Sequence, residues 1–347
     1  QVAHSFVPFT FAGTEVYCYM LSKELSKRHE VFIFCRVNNP GQREYKLSHF
    51  IHNGLSVYTV NNTFKKCKNF EDTYSNAAID KVFFLLLETV KPEIIHIQHL
   101  LFLSLGIIRK AKKNGIPIVF TSNDYWLYCH KGQFIRDSNI LCENRDNTHC
   151  VDCLEAQLAL NPLAATSYRF LRKLNLFFLL RMCKAGYLNA RKIFPLRLQK
   201  AQGELQKREK SVLDIVADID CFVAPSQFMK QKLIANGTPV DKVVFCQYGI
   251  ERQQFHIAKK ENPQTIRFCF IGTLLPTKGV ALLIRAFKDL GQRNTILYIY
   301  GKNVGYAGYE GFYVKLKNAA AKDKRIHFMG EVENDKISSV YAGVDVL

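Results

Sequence analysis

The sequence predicts an α/β fold in two successive domains, each built on a parallel sheet. Three observations carry this. Short β-rich runs alternate with helical patterns of about 10–15 residues, the mark of βαβ units. Apolar residues make up 48% of the 347, enough to bury a core in each half. A polar stretch without periodicity, 253–264, divides an earlier strand–helix series from a later one.

The first domain is expected over 1–258. A helix at 16–27, apolar at Val16, Met20, Leu21 and Leu25, precedes a strand at 31–35. A strand at 55–60 leads to a helix at 77–90, which stops at Lys91-Pro92 because proline disfavours helix in the residue before it. A strand at 93–97 follows, then a helix at 103–113 closing at Asn114-Gly115, then a strand at 116–121. An irregular cysteine loop (123–154) and a basic helical insertion (155–216) interrupt the series. It resumes with a strand at 221–224, a helix at 226–236 and a strand at 243–246. The second domain, 265–347, alternates strands at 266–271, 295–300 and 326–329 with helices at 280–289, 313–322 and 335–342. A last strand at 345–347 has no helix after it to cover its sheet face, so this domain is expected to be truncated. The start at Gln1, without Met, leads to a similar expectation for a first strand.

Charge and cysteine usage narrow the class. The net charge is +18, and residues 169–210 hold twelve Lys and Arg against Glu204 and Glu209, about ten of the eighteen excess charges. A partner that is anionic at one place fits this better than nucleic acid, which is excluded as the expected ligand. Eleven scattered cysteines, several in apolar runs (Cys35, Cys221, Cys246, Cys269), indicate small hydrophobes in a reducing compartment. No apolar run approaches the roughly 20 residues of a spanning helix, and no charged-then-apolar leader opens the chain. The expected location is cytoplasmic.

Four motifs carry chemistry. Phe11-Ala12-Gly13-Thr14-Glu15 is a small-residue turn into a helix, whose amides at Gly13 and Thr14 suit a phosphate or sugar hydroxyl; a tight turn would also need the glycine. Gly272-Thr273-Leu274-Leu275-Pro276-Thr277-Lys278-Gly279 ends a strand and places Lys278 beside a helix N-terminus, where a diphosphate is doubly favoured. Its spacing is not that of a P-loop. Cys129, Cys142, Cys150 and Cys153 include a Cys-x-x-Cys pair and are read as a structural zinc site, with His130 and His149 as alternative ligands and unligated thiols as the plain reading. His99, Asn123 and Asp124 lie just past strand ends, where parallel sheets bind ligands, whereas His96 within its strand reads as a packed core histidine.

These residues together resemble the retaining glycosyltransferases of family four, which have the GT-B fold of two Rossmann-like domains. The resemblance runs through Ala12-Gly13-Thr14-Glu15, His29-Glu30-Val31 and Thr121-Ser122-Asn123-Asp124-Tyr125-Trp126. It continues through Val223-Ala224-Pro225-Ser226, Tyr248-Gly249-Ile250, Phe255, Ile271-Gly272, Lys278-Gly279 and Phe328-Met329-Gly330. It implies a nucleotide-sugar donor held by the second domain and an acceptor held by the first. Lys278 would bind the diphosphate, Gly13 would approach the donor, and the backbone at Gly330, Glu331 and Val332 would meet the base. Configuration would be retained, without a catalytic metal. Three departures stand out. Thr273 replaces the usual arginine, Asn123 replaces the usual histidine, and the glutamate pair that grips the donor sugar would lie beyond Leu347. The cysteine loop occurs in a subset of the family.

The expected function is transfer of a sugar to a polysaccharide or lipid-linked acceptor, with an anionic membrane surface as a further partner. Phe170, Leu171, Leu174, Phe177, Phe178 and Leu179, interspersed with basic residues, would lie in the headgroup region on the inner face of the membrane; a solvated helical hairpin is the plain alternative. Two other functions share these motifs: a sugar-nucleotide epimerase of the same fold, and an inactive relative that holds an anionic polymer. The truncated form is expected to lack turnover.

Overall fold

The computed structural model describes residues 1–136, 141–142, 147–156, 195–250, 264–303, 311–333 and 336–347. The chain separates into two compact units, the first ending at Ile250 and the second running from Glu251 to Leu347.

The first unit is an eight-stranded sheet. Its strands are β1 (Val2–Ala3), β2 (Phe32–Val37), β3 (Leu47–His52), β4 (Leu55–Asn61), β5 (Ile95–Ile97), β6 (Ile118–Thr121), β7 (Cys221–Ala224) and β8 (Val243–Phe245). They lie in the order β3-β4-β2-β1-β5-β6-β7-β8, parallel throughout except for β3 against β4. The helices are α1 (Gly13–Leu25), α2 (Ala77–Val90), α3 (Gly106–Lys113), α4 (Asn147–Ala156), α5 (Pro195–Asp218) and α6 (Gln227–Ala235).

Strand alternation assigns the two sheet faces. Ile33 and Cys35 of β2, with Leu55 and Val57 of β4 and Cys18 of α1, form one buried cluster. Phe34 and Val60, on the opposite pleats, join Ile79, Phe83, Leu86 and Leu87 of α2 in the larger one. Each such fully buried side chain contributes roughly 1.5–3 kcal/mol relative to exposure. Cys35 and Cys269 are buried as expected, and burial also drives Cys18 up to about 12. Cys246 departs from the expectation: β8 ends one residue earlier, and its thiol is exposed.

Local chemistry explains the helix ends. Asn76 caps α2 by accepting the N–H groups of Ala78 and Ile79. Lys91, left-handed at φ 46°, closes it ahead of Pro92. α3 starts three residues later than its apolar pattern suggests, because Leu103 and Leu105 are buried in the loop and Ser104 accepts the N–H groups of Asn76 and Gly106. The antiparallel β3 is absent from the pattern-based expectation. It joins β4 through Asn53 (φ 49°) and Gly54 (φ 83°), the two positive-φ residues of a tight hairpin turn.

Of the basic insertion, the segment 157–194 lies outside the described residues, and with it the six apolar positions from Phe170 to Leu179. Its far end is α5. There Arg208 turns inward rather than to solvent: it is 3% exposed, donates to the Trp126 and Leu127 carbonyls, and lies over the Trp126 ring at 5.0 Å. Among the described residues no helix is long and apolar enough to cross a membrane.

The second unit has three parallel strands in the order β11-β10-β9: β9 (Ile266–Ile271), β10 (Thr295–Tyr300) and β11 (Ile326–Gly330). Helices α7 (Val280–Asp289), α8 (Phe312–Ala320) and α9 (Ile337–Ala342) accompany them. Leu297 and Ile299 pack with Val280, Ile284, Phe287 and Leu316. Val346 forms a parallel bridge to Phe268 beside β9.

Candidate functional site

The order of the first sheet reverses at β1. The strands β2 and β4 lie to one side of it, and β5 to β8 lie to the other. Such a switch point leaves a crevice outside the carboxyl ends of the strands. His4 follows β1, His99 follows β5, and Asn123 and Asp124 follow β6, so the topology delivers all four to that edge.

His99 and Asp124 are in contact, Nε2 to Oδ2 at 2.9 Å. The Leu101 N–H donates to His99 Nδ1 at 2.9 Å, so Nδ1 must present a lone pair and Nε2 carries the proton toward Asp124. His99 is 5% exposed, whereas the Asp124 side chain keeps 41% of its surface. Burial pushes the Asp124 carboxyl up. The charge and hydrogen bond of His99, the Trp126 N–H at 2.8 Å and the His4 charge more than reverse this, leaving it below the usual carboxylate range.

A second imidazole–carboxylate pair adjoins the first. The His4 ring lies 4.6 Å from that of His99, and His4 Nε2 reaches Glu15 at 3.2 Å. Glu15 is 1% exposed in the first turn of α1, directly after Gly13 and Thr14, so the glycine turn is tied to the histidines. Ala12, the N-cap residue of α1, has no side chain that can cap it. His4 Nδ1 is buried without a hydrogen-bond partner among the described residues. Burial pushes the Glu15 carboxyl up, and the bond and charge of His4 more than offset this. Asn123 donates to the Gln98 carbonyl at 2.7 Å and accepts from the Tyr248 hydroxyl at 2.6 Å. His4, Glu15 and Tyr248 are the residues that sequence reasoning did not assign to this site. A polar residue directly after the apolar Val2-Ala3 pair was the only local signal for His4. His96, expected to pack in the core, is half-buried within its strand, bonded to Thr121 at 2.7 Å and driven down to about 4 by burial.

In the second unit the assigned residues gather at the carboxyl ends of the three strands. Gly272 follows β9 and donates to the Tyr300 carbonyl, and Gly301 after β10 donates to the Gly330 carbonyl at 2.7 Å. A Cβ at Gly301 would stand 1.9 Å from the Gly272 carbonyl oxygen, so only glycine lets these ends approach. Gly279, left-handed at φ 73°, turns the chain into α7 and, as its N-cap residue, offers no side chain to cap it. Lys278 is exposed beside that helix start and makes no ion pair among the described residues. Thr273 contributes its carbonyl to the Leu275 N–H. Glu331 engages Lys302 at 3.3 Å, and Val332 follows it half-buried.

The expected zinc site is corrected. Cys129, Cys142, Cys150 and Cys153 all lie among the described residues, yet no group of three or more His, Cys, Asp and Glu there is placed to hold a metal ion. Cys129 closes a turn between Tyr125 and Gly132, and Cys142 follows the Ile135–Leu141 bridge. The Cys-x-x-Cys pair is helical, one turn apart on α4, with Cys153 8% exposed inside the core. His130 hydrogen-bonds the Cys153 backbone instead of completing a ligand set. These residues do not fit zinc.

Two family models match in succession: Glycosyltransferase Family 4 over residues 11–150 and Glycosyl transferases group 1 over residues 251–347. Each half of the chain thus matches a glycosyltransferase model, and its fold is of the GT-B kind. Solved structures share the fold over nearly the whole GT-B chain. Sucrose-phosphate synthase of Thermosynechococcus elongatus aligns at TM-score 0.58 and 11% identity, over 99% of this chain and 73% of that one. HepE of Anabaena, solved in complex with UDP and glucose, aligns at 0.55 and 11%, over 99% and 72%. An E. coli trehalose-6-phosphate structure bound with UDP-2-fluoro glucose aligns at 0.56 and 11%, over 99% and 76%. No curated protein matches the sequence of this GT-B chain.

Proposed function

We propose that this glycosyltransferase moves a hexose from a nucleotide sugar to a glycan or lipid-linked acceptor with retention of configuration. The observation that carries the reading is Lys278. It is an exposed cation without an ion pair among the described residues, beside the uncapped start of α7, at strand ends closed by Gly272, Gly301 and Gly330. A diphosphate leaving group gains negative charge as the glycosidic bond breaks, and a fixed cation with a helix N-terminus offsets that charge in the transition state. Relatives of the same fold have been solved with UDP, glucose or a UDP-sugar analogue, which supports UDP as the base-bearing part of the donor.

Lys302, one residue past Gly301, is our candidate for the phosphate cation that Thr273 does not supply. The first unit would take the acceptor. There Asp124, ionised and part-exposed, would accept a sugar hydroxyl, while His99 acts as a positioning residue because both its ring nitrogens are engaged within the protein. An anionic membrane surface as the site of the acceptor, on the cytoplasmic side, belongs to this proposal as well.

The test is product stereochemistry. The protein is incubated with α-linked nucleotide hexoses and a mixed glycan and glycolipid acceptor pool, and the new linkage is read by NMR. An α-linked product with release of nucleoside diphosphate is expected. A β-linked product sinks the retaining mechanism, and isomerised donor without transfer favours the epimerase.

A further inference from the structure

A cavity of about 380 Å³ opens in the first unit among Arg43, Glu44, Tyr45, Lys46, Lys66 and Lys81. Its walls come from the chain leading into β3, the loop after β4 and the first two turns of α2. The histidine–aspartate site lies beyond the carboxyl ends of the same sheet. The two are linked through the loop after His99, where Asn62 holds the Phe102 carbonyl at 3.1 Å and Ser104 holds Asn76.

The electrostatics of this cavity are one-sided. Arg43, Lys46, Lys66 and Lys81 are all exposed at its rim, and none makes an ion pair among the described residues. The one acid in the lining, Glu44, keeps its charge but turns both oxygens to Thr63, so four cations face one carboxylate. Four cations converging on a concavity repel one another and raise the local concentration of anions.

The wall is also built rather than loose. Asn61, fully buried, donates to the Asn39, Gln42 and Arg43 carbonyls. Tyr45 is held at φ 60°, a conformation that side-chain-bearing residues seldom adopt, by hydrogen bonds to Asn61 and Asn76. Lys66 lies 5.8 Å from its ring centroid.

We infer that this cavity binds a phosphate group carried by the acceptor. A carboxylate offers one charge and two oxygens. Cations approaching from three chain segments match the two charges and three free oxygens of a phosphomonoester, with Arg43 able to bind two oxygens at once. The volume leaves room for a sugar or headgroup behind the phosphate. The inference rests on the reading that the first unit takes the acceptor.

Glucose 6-phosphate and glucose are titrated against the protein by calorimetry, in parallel with UDP. The phosphosugar is expected to bind at least about tenfold more tightly than glucose, and K66Q/K81Q to lose about tenfold or more of that affinity. R43Q, read separately, is expected to lose a similar factor, and thermal melts of each variant establish that it is folded. Vesicles of phosphatidylcholine with and without phosphatidic acid identify the source. Capture that needs phosphatidic acid and is lost in K66Q/K81Q places the phosphate on a lipid. Glucose 6-phosphate bound no better than glucose, with vesicle capture absent or surviving in K66Q/K81Q, overturns the inference. Because UDP binding is measured on the same protein, that result leaves the donor assignment standing on its own.

Discussion

His99 donates its Nε2 N–H to Asp124 Oδ2 at 2.9 Å while its Nδ1 accepts the Leu101 N–H, so the imidazole is held from both sides and the carboxylate faces outward. The division of roles is therefore unequal. Asp124→Asn is expected to lower kcat by about 10²–10⁴, the range for losing a group that acts in proton transfer, with the affinity for nucleoside diphosphate unchanged. His99→Gln is expected to cost less, since an amide nitrogen keeps a bond to Asp124. Equal losses in the two variants would contradict the positioning role.

Lys302 is expected to compensate for Thr273. Removing one charge-assisted contact to phosphate costs about 1.5–3 kcal/mol, so Lys302→Ala is expected to weaken UDP binding by roughly ten- to a hundredfold. Adding Thr273→Arg to that variant is expected to restore most of it. Unchanged affinity in Lys302→Ala would show that Glu331 holds this lysine for structural reasons alone.

Two half-buried histidines make the first unit acid-sensitive. Burial drives His96 down to about 4, and burial with the charges of Arg208 and Lys131 drives His130 down to about 3, against a usual value of 6.5. Their folded values lie below the unfolded ones, so between 6.5 and these values the unfolded chain binds more protons. Stability is full above pH 6.5 and falls as pH drops, by about 1.4 kcal/mol per pH unit for each histidine. The depressed Asp124 adds a loss in the same direction at lower pH, below the ordinary carboxylate range. Urea melts at pH 7.5 and 5 read this directly. A midpoint that does not fall at pH 5 contradicts it, and His96→Phe is expected to flatten the dependence in part.

Much of the architecture was legible because periodicity and end signals coincided. The helix from Ala77 to Val90 runs between a side-chain cap at Asn76 and a proline stop, and the β-rich runs from Ile266 to Ile271 and from Thr295 to Tyr300 sit between polar breaks. The hairpin of β3 was missed because Leu47–His52 mixes polar and apolar residues on a half-exposed edge. The Asn53-Gly54 turn between two such runs was the available signal. At the site, His99 and Asp124 were found by a strand-end rule that needs only local information. His4 and Glu15 join them through the parallel neighbours β1 and β5, nearly a hundred residues apart, a pairing that no local pattern encodes. The cysteines misled for a related reason. Metal-knuckle spacing and one turn of helix look alike in sequence, and here Cys150 and Cys153 took the helix.

The central claim, that the second unit holds a nucleotide-sugar diphosphate through Lys278 and the start of α7, is tested most directly by calorimetric titration of UDP and UDP-hexoses into the wild-type protein and Lys278→Ala. Saturable binding by the wild type is expected, weakened about ten- to a hundredfold in the variant, as the loss of one charge-assisted phosphate contact requires. Binding of equal strength in both proteins, or none in the wild type with any nucleoside diphosphate, would contradict it.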